Sequence, residues 1–323
     1  MRGLSFLVAA AVTFAATCGA GIAQTYPSRP ITLIVPFPAG GGVDAVARIV
    51  AEKLAAGLRQ QVIIDNRGGV AGVIGMRVAA KAAPDGYTLV MSHTGITAIN
   101  PALYANPGYD PRRDFTPIGL IATTPIVLMT NTAFPARTVA DLIAMAKREP
   151  GKLNVGTPPP GTGGFLSAEL LKVAAGIDFT IVTYKGTGPL TNDLIGGHVP
   201  IAFNVLAPAM GNLQAGNLRA IATAGAERLS LLPDVPTIAE SGLPGFEAVL
   251  HYGVMAPAGT PADIVTRLND ELRNAVALDD VRVRIAADGG DVLTSTPEQY
   301  AADIDREQRK WGPLVRRLGL RVD

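Results

Sequence analysis

The chain has 323 residues, which is long for one hydrophobic core, since single cores stop growing at about 250–300 residues. Lys and Arg number 28 against 27 Asp and Glu, a formal net charge of +1, so no overall field draws the chain to nucleic acid or to an anionic membrane. Any anion it binds has to be held by local geometry.

The first residues, MRGLSFLVAAAVTFAATCGAGIAQ, carry one Arg, then an apolar run, then small residues ending at Ala23. This is the three-part pattern of a secretory signal peptide, too short and wrongly flanked for a permanent span. Cleavage after Ala23 would remove Cys18, the only cysteine, and with it any disulfide, thiolate catalysis or Cys-bound zinc. Ala15-Ala16-Thr17 stands where a lipoprotein signal wants Leu and small residues, so lipid anchoring at Cys18 is not expected. An exported protein is expected.

ITLIV reads as a strand, PFPAGGG as a loop, and the following segment as a helix, because Val46, Ile49, Val50 and Leu54 share one face. QVIIDN is a second strand, and the turn RGGVAGVIG leads to a helix expected to stop near Ala83, ahead of Pro84. YTLVMSH is a third strand, NPALY and NPGYDPRRDFTP form a long connection, and IGLIATTPIVLMT reads as a strand pair.

The pattern then starts again. TVADLIAMAKREPGK is a helix capped by Thr138, KLNVGT a strand, PPPGTGG a loop and FLSAELLKVAAG a helix. DFTIVTYKG, VPIAFN and NLRAIATAG supply further strands, with helices from TNDLIGG and PAMGNLQAG. After the Pro- and Gly-rich connector PDVPTIAESGLPGFE, EAVLHYGVMAP returns as a strand. Two closing helices open on Thr260-Pro261 and Thr296-Pro297, with Thr296 and Gln299 fitting a capping box.

Alternation of strands and helices predicts an α/β fold of two lobes, each a mainly parallel sheet flanked by helices, with a ligand cleft between them. Residues 24–123 and 236–323 are expected to form lobe one and residues 124–235 lobe two, so the chain crosses twice and makes a hinge.

Strand, Gly-rich loop, helix occurs twice. Amides at a helix start lack an intrahelical partner, the macrodipole adds partial positive charge there, and glycines let a ligand approach the backbone. PAGGGVD and PPGTGG therefore read as two anion-receiving loops, one per lobe, although a lone Gly-rich turn is a weak signal. Neither carries a GK[ST] ending, so nucleotide binding is unsupported. Asp44 opposes an anion at the first loop; it either caps its own helix or meets an ammonium or hydroxyl on the ligand.

Signals for catalysis are thin. His93, His198 and His251 are isolated, with no HExxH, no paired metal spacing and no GxSxG elbow. His93 is the most open to function because it ends a strand between Ser92 and Thr94. No catalytic residue, metal or cofactor is expected.

Taken together, YPSRPITLIVPFPAGGGVDAVAR, DNRGGVAGVIG, AAPDGYTL, INPALY, NVGTPPPGTGG, TYKGTGPLTNDLIGGHV, LLPDVPTIAESGLPGFE and HYGVMAPAGTP resemble the substrate-binding proteins of tripartite tricarboxylate transporters, the Bug or TctC-like family. The resemblance covers essentially the whole mature chain. It implies a two-lobed periplasmic binding protein of the second structural type, gripping one ligand carboxylate between the two loops, partly through ordered water. Carried onto this sequence, Phe37, Ala39, Gly40 and Gly41, with Asp44 beside them, and Pro160, Gly161, Thr162 and Gly163 would make the proximal contacts. Ser92, His93, Thr94, Tyr184, Lys185 and Asn204 would line the rest.

Departures from the family pattern fall at Gly68, where proline is common, at Pro158-Pro159-Pro160 and Phe165 in the second loop, and at Pro200 and Asn204, where acidic residues are frequent. His251 stands where a Trp commonly precedes the Tyr-Gly strand. The implied partners are a small carboxylate (a di- or tricarboxylate, an aromatic acid or an acidic amino acid) and the large and small membrane subunits of a transporter, with the binding protein itself a monomer. Two other readings share the architecture: a sensory module presenting its ligand to a receptor, and a hydrolase using Ser92 or Thr162 with His93.

Overall fold

The run ITLIV forms β1 (Ile31–Val35), whose apolar residues are buried almost without exception, as a strand covered on both faces requires. The computed structural model describes residues 26–287 and 289–322, so the expected signal segment lies outside the described residues. β2 (Val62–Asn66) and β3 (Thr88–His93) flank β1 in parallel register. Between β1 and β2 runs α1 (Gly42–Leu58), which buries the expected stripe of Val46, Ile49, Val50 and Leu54, extended by Val43 and Leu58.

β4 (Phe115–Asn131) is one continuous strand of 17 residues, where the sequence suggested a pair. Its residues are buried nearly throughout; Pro117 and Pro125 are accommodated at a bulge and at a change of partner. Up to Pro125 it pairs with β9 (Val249–Pro257), and from Ile126 it pairs with β7 (Ile201–Val205) and, from Val127, also with β8 (Leu218–Thr223). β4 thus joins two half-sheets. β5 (Asn154–Thr157) and β6 (Thr180–Thr183) complete the order β2-β1-β3-β9-β4-β7-β5-β6, and β10 (Asp291–Val292) pairs with β4. Each half is mixed rather than mainly parallel: β9 runs antiparallel to β3 and β4, and β4 antiparallel to β7.

Ten α-helices occur among the described residues. α2 (Val73–Ala79) stops four residues before Ala83, because the chain tightens into i→i+3 bonds from Lys81 to Val78 and from Ala82 to Ala79. The connection after β3 is more ordered than expected: a π-helical turn over Gly95–Ile99 leads into α3 (Asn100–Leu103). α4 (Val139–Arg148) opens on a Thr138–Asp141 capping box. α5 (Gly163–Ala175), α6 (Thr187–Ile195) and α7 (Met210–Gln214) belong to the second half-sheet. The connector 236–248 stays bound to β8, with Ile238 N–H donating to Thr223 O and Ala248 N–H to Ala224 O, before β9 begins.

Three helices close the chain rather than two. α8 (Ala262–Ala277) has Pro261 at its N-cap position and no side-chain cap, because Thr260 turns its hydroxyl to Pro257 O instead of onto the helix. Extended Leu278 separates it from α9 (Asp279–Ala287), whose Asp280 pairs with Lys53 of α1 rather than pointing only to water. α10 (Pro297–Arg317) does open on the Thr296–Gln299 capping box and buries Tyr300, Ile304 and Trp311. Thr296→Ala is expected to lower stability by about 1 kcal/mol, read as a fall in the urea midpoint at constant slope. An unchanged midpoint would show that this cap contributes nothing.

Candidate functional site

The two Gly-rich loops do end at one place. A Cβ on Gly42, the first residue of α1, would lie 3.7 Å from Tyr252 Oη and 3.9 Å from Val205 Cγ2. One on Gly163, the first residue of α5, would lie 2.8 Å from Leu250 Cδ2, and one on Gly164 would lie 2.6 Å from Phe203 O. Leu250 and Tyr252 share a face of β9, and Phe203 and Val205 a face of β7, since side chains alternate along a strand. The starts of α1 and α5 therefore both pack against β7 and β9.

Their amides are the chemically interesting groups. Among the described residues, the N–H groups of Gly41, Gly42 and Val43 make no hydrogen bond, and neither do those of Gly163, Gly164 and Phe165. Both helices exceed two turns, so each start also carries the positive end of a macrodipole. Helix starts of this kind, with amides free and no cationic side chain needed, are able to attract a negative oxygen. Thr162, the N-cap of α5, spends its side chain elsewhere: its hydroxyl and its N–H both donate to Pro159 O, at 2.7 and 3.2 Å.

Not every amide of the first loop is open. Asp44 Oδ2 accepts from Gly40 N–H and from Arg48 Nε, both at 2.9 Å, and Oδ1 accepts from Asn66 Nδ2 at 2.9 Å. Asn66 also holds Phe37 O at 3.1 Å. Burial pushes the Asp44 carboxyl up, but the hydrogen bonds from Arg48, Gly40 and Asn66, with the charge of Arg48, outweigh it and hold the group below the usual carboxylate range. Asp44 thus serves as the clamp of the first loop, ionised and neutralised by Arg48.

The second loop reaches across to the first half-sheet. Gly161, at φ +88°, packs against Asn100 of α3 and Ala71, and its carbonyl lies against Gly95 in the π-helical turn. Gly68, where proline is common in the family pattern, has room for no more: a Cβ there would lie 2.9 Å from Pro38 Cδ of the first loop.

His93 is buried between the rings of Phe37 and Tyr252, at centroid distances of 5.0 and 5.9 Å. Its Nδ1 accepts from Gly95 N–H at 2.9 Å, which places the ring proton on Nε2. Burial drives its pKa down to about 3. An unfolded chain therefore takes up a proton below the ordinary value of 6.5 that the folded chain refuses, and stability falls as pH drops from 6.5 towards 3, by up to ~1.4 kcal/mol per unit. His93→Gln, which still offers an acceptor to Gly95, is expected to flatten that slope in urea titrations at pH 7, 6 and 5; an unchanged slope would contradict a neutral buried His93.

The remaining expected residues lie apart from the two helix starts, or turn their polar atoms inward. Ser92 faces the other side of β3, its Oγ 3.0 Å from Gly253 O and 2.6 Å from Tyr300 Oη. Neither Ser92 nor Thr162 is bonded to His93, so no nucleophile–base pair is formed. Thr94 Oγ1 accepts from His251 N–H at 2.9 Å. Asn204 is spent inside the second half: its Nδ2 donates to Thr191 Oγ1 and Thr187 O, and its Oδ1 accepts from Val205 N–H. Tyr184 packs toward α6, its phenol pushed up to about 12 by burial and by Asp193, while Lys185 is exposed.

Two features were not chosen from the sequence. Asn100, in the segment INPALY, is wholly buried; its Nδ2 is held by Ala71 O at 3.0 Å while its Oδ1 has no hydrogen-bond partner among the described residues. Tyr252 closes the wall beside Gly42. Behind the site, His251, Asp303 and Glu307 bring a ring nitrogen and two carboxylates within 4.8 Å of one another, a grouping able to hold a metal. Arg306 already bonds Asp303 and lies 3.5 Å from Glu307, and Trp311 Nε1 donates to Glu307 at 3.0 Å. The cluster is self-sufficient as an ion-pair network.

Residues 46–320 match the family described as the tripartite tricarboxylate transporter family receptor. BugT of Bordetella pertussis is 36% identical over 320 residues, 98% of each chain, and a protein of Pseudomonas sp. (strain P51) from the tcbD-tcbE intergenic region is 38% identical over 312 residues, 95% of this chain and 93% of its own. Among solved structures, an R. palustris protein with adipate superposes with a TM-score of 0.86 at 37% identity, covering 91% of this chain and 98% of that one. MatC from Rhodopseudomonas palustris with bound malate gives 0.83 at 34% identity, covering 90% and 100%. With more than a third of its residues shared along almost its whole length, and the same α/β binding-protein fold, this chain belongs to the tripartite tricarboxylate transporter receptor family.

Proposed function

We propose that this protein captures a small organic carboxylate in the periplasm by closure of two lobes and delivers it to the membrane subunits of a tripartite transporter. The observation that carries the reading is the pair of unpartnered helix N-termini, α1 and α5, both packed against β7 and β9. A carboxylate lying between them would accept from Gly41, Gly42 or Val43 on one side and from Gly163, Gly164 or Phe165 on the other. Charge-assisted hydrogen bonds of roughly 1.5–3 kcal/mol each make micromolar affinity attainable from a handful of such contacts. Because the donors come from both lobes, the ligand binds the closed form better than the open one, and that difference drives closure.

We place the lobe crossings at Pro125 and Val249, where strand partners change, so that lobe one comprises β1–β3, the first part of β4, β9 and the C-terminal helices. Phe37 and His93 form the apolar floor between the loops. Export by residues 1–23 and action as a monomer belong to the same reading, as does binding without turnover, to which the family and its structural neighbours, binding proteins, lend support.

A thermal-shift panel of mono-, di- and tricarboxylates tests it. A ligand at a hundred times its Kd adds about 2.7 kcal/mol to apparent stability, a shift of several degrees. No shift with any acid would overturn the reading.

A further inference from the structure

We propose that Asn100 selects for a hydroxyl group on the bound acid, so that the preferred ligands are hydroxycarboxylates rather than plain di- or tricarboxylates; this rests on the carboxylate reading above. Asn100 is 0% exposed, and its carboxamide cannot be turned over, because Ala71 O, an acceptor, holds Nδ2 at 3.0 Å. Oδ1 is thereby aimed away from Ala71 at Gly161, the residue before the N-cap of α5. It is one of three buried side-chain atoms without a hydrogen-bond partner among the described residues, with Thr130 Oγ1 and Thr157 Oγ1. The two threonines are hydroxyls that can rotate to suit; Asn100 Oδ1 can only accept.

A buried acceptor left unpaired is costly, and a site that holds one discriminates against analogues lacking the matching donor. Gly161, which Oδ1 faces, lies two residues before the start of α5, whose amides Gly163 to Phe165 are also unpartnered, so a ligand held at those amides has an unpaired acceptor in the adjoining loop. The arithmetic of donors favours a hydroxyl over an ammonium. A hydroxyl brings one proton to one acceptor, whereas an ammonium brings three and a full charge. Asp44, the one carboxylate at the first loop, is already engaged by Arg48, Asn66 and Gly40, and His93 is neutral. Glycine at 161 is required for this geometry, since a Cβ there would occupy the space in front of Oδ1.

The test is isothermal titration of the mature chain with matched pairs: malate against succinate, and aspartate as the ammonium-bearing third member. Malate is expected to bind at least about ten-fold tighter than succinate, with no comparable advantage for aspartate, and Asn100→Ala is expected to bring the malate-to-succinate ratio close to one. Equal binding of malate and succinate by the unaltered chain would overturn the hydroxyl assignment while leaving the carboxylate reading intact. So would a malate preference that survives Asn100→Ala, since Asn100 would then be holding water instead. Should Asn100→Ala not fold, Asn100→Ser, which keeps a polar group but withdraws the acceptor from its position, is titrated in its place, and the same two outcomes decide. Binding of no acid, in a panel extended to tri- and aromatic carboxylates, would overturn the carboxylate reading and this inference with it.

Discussion

Gly161→Ala is expected to weaken carboxylate binding by about a hundred-fold while leaving the open protein folded. Gly161 sits at φ +88°, where a side chain is strained, and its added methyl would drive into Asn100 Oδ1 and stand 3.4 Å from Ala71 Cβ. Both neighbours belong to the first half-sheet, so the collision arises where the second loop meets it, and under the proposed closure it is relieved when the lobes part. Overpacking of this kind costs typically 1–3 kcal/mol and backbone strain about 1 more, and 3 kcal/mol corresponds to roughly two decades in Kd. Titration of the ligand found by the thermal-shift panel reads this directly. A Kd within three-fold of wild type would mean that the second loop does not close onto Asn100.

Asp44→Ala is expected to cost about 2–3 kcal/mol of stability and to weaken binding by at least ten-fold. Removal of the carboxylate leaves Gly40 N–H and Asn66 Nδ2 without their acceptor, and Asn66 is also the residue that fixes Phe37 O. The first loop then loses its shape before any ligand arrives. Asp44→Asn retains an acceptor oxygen but must present an amide to one of the same donors, so an intermediate loss is expected. Urea denaturation and titration on both variants check the order. If Asp44→Ala were as stable as wild type yet bound no ligand, Asp44 would be a ligand contact, not a clamp.

Much of this arrangement was legible in the sequence, and the reasons are specific. The strands ITLIV, YTLVMSH and VPIAFN announce themselves because buried strands are apolar runs, and α1 because its stripe is regular. The two loops were visible because three glycines in a row, and Pro-Gly-Thr-Gly-Gly, each stand between a strand and a helix start, a pattern that is weak once and stronger when it occurs twice. β4 was misread because a strand that changes partner at Pro125 looks locally like two strands. Thr260 looked like an N-cap because Thr-Pro is a start signal, but its hydroxyl found Pro257 O first.

The roles of single polar side chains were the least legible. Ser92, Thr94 and Asn204 are cleft-side by sequence position, yet each hydroxyl or carboxamide is engaged by a partner between 13 and 208 residues away, a distance no local pattern encodes. Asn100 was overlooked for the converse reason. Asn before Pro reads as turn chemistry, and only the packing of Ala71 and Gly161 around it shows a buried acceptor without a donor.

The most direct measurement is a crystal structure of the mature chain soaked with malate. One carboxylate is expected between α1 and α5, its oxygens about 2.7–3.2 Å from at least one amide of Gly41–Val43 and one of Gly163–Phe165, directly or through one water, and no Lys or Arg in contact with it. A carboxylate bound to a cationic side chain, or seated away from those two helix starts, would contradict this placement.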